Sequence, residues 1–436
     1  METWTTFQKV LKAIKDNPHP SKKSTININN VFSNRKEFEP IKKSVESIFH
    51  SKKYHNSTYS DFLYTLRYCF FIMKKFIFVQ IRNNKVITFA HVENMDFTNN
   101  FSSHIKVSAL TLKRKLKTFQ KDTYKCKPKK IEEDKTKWIA TDYFVFPYIN
   151  EGISDQHYEK EFYDMLSQCS NTYKIPDIDL IINKKDANFL TWDDTYPYNV
   201  YKAGKDGNQI HRTFYPILSI GTTVRHADIP IPYPQDWIFK IQSLSSWSQR
   251  VSKAVFRGAA TGSGTTKNPR IIAALLSIKW KKEGKDILDA GITNESCRLR
   301  ITDDKNLDWI KLRKWNIPIS QFLSREEQSK FKYILHIDGN IAAFRLSEDL
   351  ASGSVVLKVS GDNEVWFSKL LVENVHYISI NRDLSNLEEK IQWCKDNDTQ
   401  CQEIAKNAYN LVKNTITQKR ILQYWKYIID MCSNVK

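Results

Sequence analysis

One short block constrains this chain more than any other. Ala254-Val255-Phe256 is an apolar, strand-forming run. Arg257-Gly258-Ala259-Ala260-Thr261-Gly262-Ser263-Gly264-Thr265-Thr266 follows it, and Pro269-Arg270 opens a helical pattern that continues to Lys281. A strand that passes through small residues into a helix start is the beginning of an α/β layer. It also makes an anion cradle, because loop N–H groups and the positive end of the helix dipole point at one spot. Arg257 and Arg270 flank the loop, and their planar guanidiniums suit phosphate oxygens. The block is not a P-loop, since no Gly-Lys-Ser/Thr follows, and the glycines at 258, 262 and 264 miss the Gly-x-Gly-x-x-Gly spacing. Taken alone, it is equally compatible with an ordinary surface loop.

A second block makes the cradle reading stronger. Tyr333 to Ile337 reads as a buried strand ending at Asp338-Gly339, and small residues then lead to Arg345. Ser352-Gly353-Ser354 turns into another apolar strand that carries Lys358 near its end. Ligands of open α/β sheets lie beyond the carboxyl ends of strands, where Asp338 and Arg345 are expected. Arginines, small-residue loops and a carboxylate in one α/β unit suggest a nucleotide diphosphate site, in which Arg and a helix dipole can stabilise a leaving diphosphate.

The rest of the chain fits two α/β units. Phe76 to Arg82, Asn83-Asn84 and Val86 to Phe89 form a hairpin signal. Trp138 to Tyr148 and Asp177 to Asn183 read as strands around a helix from Tyr158 to Gln168. Pro216, Pro230, Pro232 and Pro234 suit a shaped connection, placing the boundary near 225: residues 1–225 as one domain, with 1–70 a polar extension, and 226–436 as the other. After further strands at Ser354 to Val359 and His376 to Ile380, helical patterns close the chain at Leu384 to Cys394, Gln402 to Val412 and Gln418 to Met431. The last of these could pack back on the first domain.

Charge excludes less than it suggests. The net charge of +19 favours phosphorylated partners. Yet only 16 of the 67 basic residues are Arg, and a Lys-, Asn- and Ile-rich composition is what an AT-rich genome yields without selection for binding. Seven cysteines without paired spacing give neither a disulfide framework nor a Cys-x-x-Cys metal site. No apolar run reaches the 18 residues of a membrane span, and residues 1–20 lack the basic-then-apolar order of a secretory signal. A cytoplasmic location is the expectation. A rival class, single-strand nucleic-acid binding, draws on the basic charge with 11 Trp, 20 Tyr and 24 Phe. Those aromatics lie in apolar segments, and no zinc knuckle or basic helix accompanies them, so no nucleic-acid partner is expected.

From Phe256-Arg257-Gly258 through Asp338-Gly339, Ala343-Phe344-Arg345, Ser352-Gly353-Ser354, Lys358, Trp366, Val375-His376-Tyr377-Ile378 and Asp383-Leu384 to Glu403-Ile404-Ala405, the chain resembles glycosyltransferase family 90. This is the family of protein O-glucosyltransferases and capsule-associated xylosyltransferases. Pro176-Asp177-Ile178-Asp179 and Asp228-Ile229-Pro230 look like its earlier landmarks. The resemblance implies a GT-B fold, two Rossmann-like α/β domains facing across a cleft, with a UDP-sugar on the C-terminal one. It implies inverting transfer of glucose or xylose to a hydroxyl of a protein or glycan acceptor, without a divalent metal or other cofactor. By carry-over, Arg257 and Arg345 would grip the diphosphate. Gly258, Thr261, Arg270, Ser352, Gly353, Ser354 and Lys358 would line the nucleotide pocket, with Asp338 at its edge. The Asp-x-Asp at Asp177 and Asp179 would then be a strand-start feature.

Inverting transfer needs a general base for the acceptor hydroxyl. The family's position for it falls where this chain reads Asn150-Glu151-Gly152-Ile153-Ser154-Asp155-Gln156-His157. Asp155 is the first candidate and Glu151 the reserve, and Asp155 is equally placed to cap the helix from Tyr158. Secreted relatives carry leaders and disulfides that this sequence lacks, which points to an intracellular enzyme of a large DNA virus or a protist. A catalytically inactive family member is a further alternative.

Overall fold

The computed structural model describes residues 2–20, 39–49, 57–70, 75–93, 136–140, 144–149, 159–183, 215–241, 244–295, 299–301, 307–308 and 310–434. Helices α1 (Glu2–Asp16), α2 (Glu39–Phe49) and α3 (Tyr59–Tyr68) come first. The last is started by a capping box in which Thr58 and Asp61 satisfy each other's backbone N–H groups. Strands β1 (Lys75–Arg82) and β2 (Lys85–Glu93) form the expected hairpin. Asn83 and Asn84 have φ of 49° and 61°, the left-handed pair that a two-residue turn between twisted strands requires. The run from Trp138 to Tyr148 divides into two antiparallel strands, β3 (Thr136–Ala140) and β4 (Phe144–Ile149).

Helix α4 (Glu159–Thr172) leads to β5 (Ile178–Asn183), every residue of which is buried. Strands β6 (Ile217–Ser219), β7 (Thr222–Thr223) and β8 (Ile229–Pro230) follow. The first sheet has the order β2-β1-β5-β6-β8, with β5, β6 and β8 parallel and β1 antiparallel to β5. The passage read as a shaped connection therefore also contributes strands. Pro230 is tolerated because β8 is the edge strand and needs no N–H on its outer side. The sheet also runs past the expected boundary at 225.

After α5 (Pro234–Ile238), β9 (Val251–Gly258), α6 (Pro269–Lys282) and β10 (Leu288–Ile292) open the second sheet. Short strands β11 (Leu299–Ile301) and β12 (Leu307–Asp308) join β4 and β3 in a separate sheet. Then come α7 (Arg325–Ser329), β13 (Phe331–His336), α8 (Leu346–Leu350), β14 (Val355–Val359), β15 (Asn363–Glu364) and β16 (Ile378–Ile380). The second sheet is parallel throughout, in the order β10-β9-β13-β14-β16. The chain leaves β9 towards β10 on one side and returns to β13 on the other, so a crevice opens beyond the carboxyl ends of β9 and β13. Helices α9 (Leu387–Asp396), α10 (Asp398–Thr415) and α11 (Gln418–Ser433) end the described chain.

Helix α11 packs against the first sheet's layer. Tyr424 donates to the Pro230 carbonyl at 2.6 Å, the Trp425 indole N–H approaches the Met165 sulfur of α4 at 3.4 Å, and the Cys169 thiol faces the Leu422 carbonyl. One apolar cluster thus runs from α1 through the first sheet to Trp366 and α11, and a second fills the other sheet around Tyr333, Leu335 and Ile391.

Candidate functional site

The crevice between β9 and β13 is closed by the strand–loop–helix block. Asn268 caps α6, accepting from the Arg270 N–H at 3.0 Å, and its amide donates to the carbonyls of Thr261 and Ser263 at 3.0 and 2.6 Å. Gly262, at φ 95°, donates its N–H to the Asn340 side chain at 3.2 Å, which joins the loop to the segment after β13. Arg270 is 6% exposed and crosses the floor of the crevice. Its nitrogens donate to the carbonyls of Asp338, Ala259 and Ile337 at 3.0, 3.0 and 2.9 Å. These carbonyls lie just beyond the ends of β9 and β13, and Arg270 ties the two strand ends together.

Arg345 forms the next layer. Its guanidinium lies 5.2 Å from the Phe256 ring centre, donates to the Arg257 carbonyl at 3.2 Å, and is held by Asp349 at 3.5 Å. A Cβ placed on Gly258 would meet the Phe256 ring at 3.0 Å, Arg270 at 3.3 Å and Arg345 at 3.4 Å. Both guanidiniums therefore converge on a strand end that only glycine leaves open. Burial works against the Arg345 charge, opposed first by Asp349. Asp338 stands at the rim, accepting from the Ala343 N–H at 2.9 Å and the Asn363 amide at 3.2 Å. The Thr261 hydroxyl faces Gly339 closely enough that a Cβ there would lie 2.9 Å from it. Gly258, Thr261, Arg270, Asp338 and Arg345 are brought together as one cradle.

The other expected residues are placed elsewhere. Arg257 alternates to the opposite face of β9 from Phe256 and Gly258. There it pairs with the Asp289 carboxylate at 2.8 Å and donates to the carbonyls of Asp289 and Gln321 at 2.8 and 3.1 Å. Ser352, Gly353 and Ser354 precede β14 and so lie at the amino end of the sheet. Ser354 donates to the Phe331 carbonyl at 2.7 Å, and Arg250 donates to Ser354 and to the Ser352 carbonyl at 2.8 and 3.0 Å. Lys358 pairs in register with His336, and its ammonium lies 5.8 Å over the Tyr377 ring. Asp155 and Glu151 lie outside the described residues. Asp179 is buried between Arg82 and His19 at 2.8 and 2.7 Å, and Asp177 accepts the Asn83 N–H at 2.7 Å, so both carboxylates serve protein partners.

Sequence reasoning missed the wall behind the cradle. His336, 1% exposed, faces Asp349 through Nδ1 at 2.7 Å, and Arg325 reaches the other Asp349 oxygen at 3.1 Å. His336 at the end of β13 and Arg345 at the start of α8 bracket the segment that carries Asp338 and Gly339, and the Asp349 spacing one helical turn after Arg345 was the available signal.

Residues 156–435 match the profile described as Glycosyl transferase family 90. The chain belongs to that family. It is 31% identical over 427 residues to the uncharacterized protein 035R of Invertebrate iridescent virus 3, an alignment covering 90% of this chain and 38% of that protein. Protein O-glucosyltransferase 1 of Mus musculus is 27% identical over 267 residues, 59% of this chain and 62% of that one. The crystal structure of TarM is similar at a TM-score of 0.30 and 15% identity, covering 44% of this chain and 37% of that one, too distant to carry an argument. The chain spans well under half the length of the viral relatives it matches. The family match includes the whole cradle, and the viral alignment reaches into the residues before it. A viral relative is consistent with the expectation of a large DNA virus. Among the described residues, no helix is long and apolar enough to cross a membrane.

Proposed function

We propose that the cradle binds the diphosphate of a UDP-sugar and that the protein transfers glucose or xylose from it to a hydroxyl of a protein or glycan acceptor, with inversion. The observation that carries this reading is the convergence of Arg270 and Arg345 on Gly258 at the carboxyl ends of β9 and β13. Family membership and the O-glucosyltransferase relatives support it. A GT-B arrangement, with the first sheet on the acceptor side, is the architecture this reading requires.

The chemistry follows from charge. The acceptor hydroxyl gives its proton to a carboxylate base, for which Asp155 and Glu151 are the candidates, while its oxygen bonds to the sugar C1. The bond from C1 to the β-phosphate oxygen breaks on the opposite face, and its electron pair leaves with UDP. Arg345, fixed by Asp349 and by the Phe256 ring, is preorganised for the growing diphosphate charge. Arg270 holds the strand ends around it. A cation already built into the wall makes a divalent ion unnecessary for this step.

The test is thermal unfolding with UDP, UDP-glucose, UDP-xylose, UDP-galactose and GDP-mannose, with EDTA present throughout. A ligand at about 100 times its dissociation constant stabilises by about 2.7 kcal/mol, which is readily measured. A selective shift with uridine nucleotides is expected, and the UDP-sugar with the largest shift becomes the donor for transfer assays. No shift with any nucleotide would overturn the reading, and a shift that appears only when manganese replaces EDTA would overturn its metal-free part.

A further inference from the structure

His336 holds an unused hydrogen-bonding position inside the wall of the cradle. It is the last residue of β13, two before Asp338, and is 1% exposed. Asp349 is kept ionised by its hydrogen bond with His336 and by Arg325 and Arg345, against the effect of its own burial, and a carboxylate can only accept. Nδ1 of His336 therefore carries the hydrogen in the 2.7 Å contact. That fixes the tautomer of the neutral ring and leaves a bare lone pair on Nε2. Nε2 is buried without a hydrogen-bond partner, and it faces Oδ1 of Asp338 at 3.8 Å. Two acceptors thus confront each other across a gap slightly longer than a hydrogen bond. A buried polar atom left in this state is costly, and a proton on Nε2 would remove the cost.

The charges around the ring decide when that proton arrives. Asp349 and Asp338 favour it; Arg345, at the start of α8, opposes it, and burial opposes it most. Arg325 of α7 bears on the ring through Asp349, and Lys358, the β14 neighbour in register, directs its ammonium over Tyr377. A diphosphate seated on Arg345 would cancel the nearest opposing charge.

We propose that His336 is a positioning residue of the cradle, taking a proton on Nε2 when a diphosphate binds and so clamping Asp338 to Asp349, an assignment that rests on the donor reading above. The proton comes from solvent; no other bond is made or broken. The imidazolium would then donate to both carboxylates, fixing the rim residue Asp338 and, through Asp349, the angle of Arg345.

The experiment is titration calorimetry of the full chain with UDP-glucose, whose diphosphate is a diester and does not itself titrate near neutrality. Running it at pH 7 in PIPES and in Tris, buffers of different ionisation heat, reads the protons exchanged. Wild type should take up between about 0.5 and 1 proton per ligand, and its affinity should fall with rising pH by up to about tenfold per unit. His336→Asn, which can bond to both carboxylates but cannot titrate, should bind with no uptake and a flat pH profile. Ring-nitrogen NMR of the wild type gives the same answer should that variant not fold: the His336 Nε2 signal should move from the bare to the protonated position on binding. Binding without uptake, or uptake unchanged in His336→Asn, would overturn the role of His336 alone. No binding of UDP-glucose or of any other UDP-sugar would overturn the donor reading and His336's role together.

Discussion

At the scale of single residues, the two arginines expected to act together have different surroundings. Arg345 points into the crevice with its charge held by Asp349, whereas Arg257 faces β10 and is paired with Asp289. Arg345→Ala should remove roughly 2–4 kcal/mol of transition-state stabilisation, as loss of a preorganised donor does, and abolish the thermal shift with UDP. Arg257→Ala should lower the melting temperature while leaving that shift intact. Comparing the UDP shift in the two variants checks both statements; equal loss in each would return Arg257 to the diphosphate. Asp236 offers a second test. It accepts from Ser347 at 2.6 Å and from the Trp366 indole at 2.9 Å, yet burial lifts its carboxyl from 3.8 to about 6. Because the folded state holds this proton more tightly, the associated stability is present below pH 4 and is lost as pH rises through 6. Two units correspond to roughly 3 kcal/mol. Urea midpoints from pH 4 to 7 should therefore decline for wild type relative to Asp236→Asn, and parallel curves would show that the carboxyl is not perturbed.

At the scale of elements, what the sequence disclosed depended on whether the signal was local. The β1–β2 hairpin was legible because Asn83-Asn84 can adopt the left-handed turn, and the cradle because small residues joined a strand to a helix. Strand β10 went unread, since Asp289, Ala290 and Gly291 lack β-branched side chains; parallel pairing with β9 makes it a strand. Helix α3 was missed although its capping box is written in Thr58 and Asp61. Ser352-Gly353-Ser354 was misplaced for a topological reason. Only a few residues separate it from Arg345, but α8 carries the chain back to the amino end of the sheet, roughly 15 Å away at 3.3 Å per residue of strand. Its glycine accordingly has a structural duty. Gly353 has φ 73°, and a Cβ there would lie 2.7 Å from the Arg250 guanidinium. Gly353→Ala should destabilise by about 1–3 kcal/mol through backbone strain and displacement of Arg250. Nucleotide affinity should be unchanged when measured well below the melting temperature; a specific loss of affinity with normal stability would place this turn at the ligand after all.

At the scale of the whole molecule, the first sheet meets the cradle at one defined point. The loop after β6 forms β7, which pairs antiparallel with β15, setting Thr223 opposite Asn363 and Thr222 opposite Glu364. Asn363 in turn donates to Asp338 at the rim. Chain from the carboxyl ends of the first sheet is thus joined to the rim of the cradle on the second. The net charge of +19 must be weighed against this local geometry. A chain this basic will attract any polyanion at low ionic strength, but an attraction spread over surface lysines is lost through counterion competition as salt rises. A buried arginine wall is far less screened. Single-stranded DNA should therefore bind only weakly, lose most of its affinity between 50 and 200 mM salt, and fail to displace UDP-glucose. The UDP-glucose thermal shift should persist at 200 mM. Fluorescence anisotropy of a labelled oligonucleotide, with and without UDP-glucose across that salt range, separates the outcomes. Tight DNA binding at 200 mM that UDP-glucose competes away would mean that the cradle and its arginine wall serve a nucleic-acid backbone.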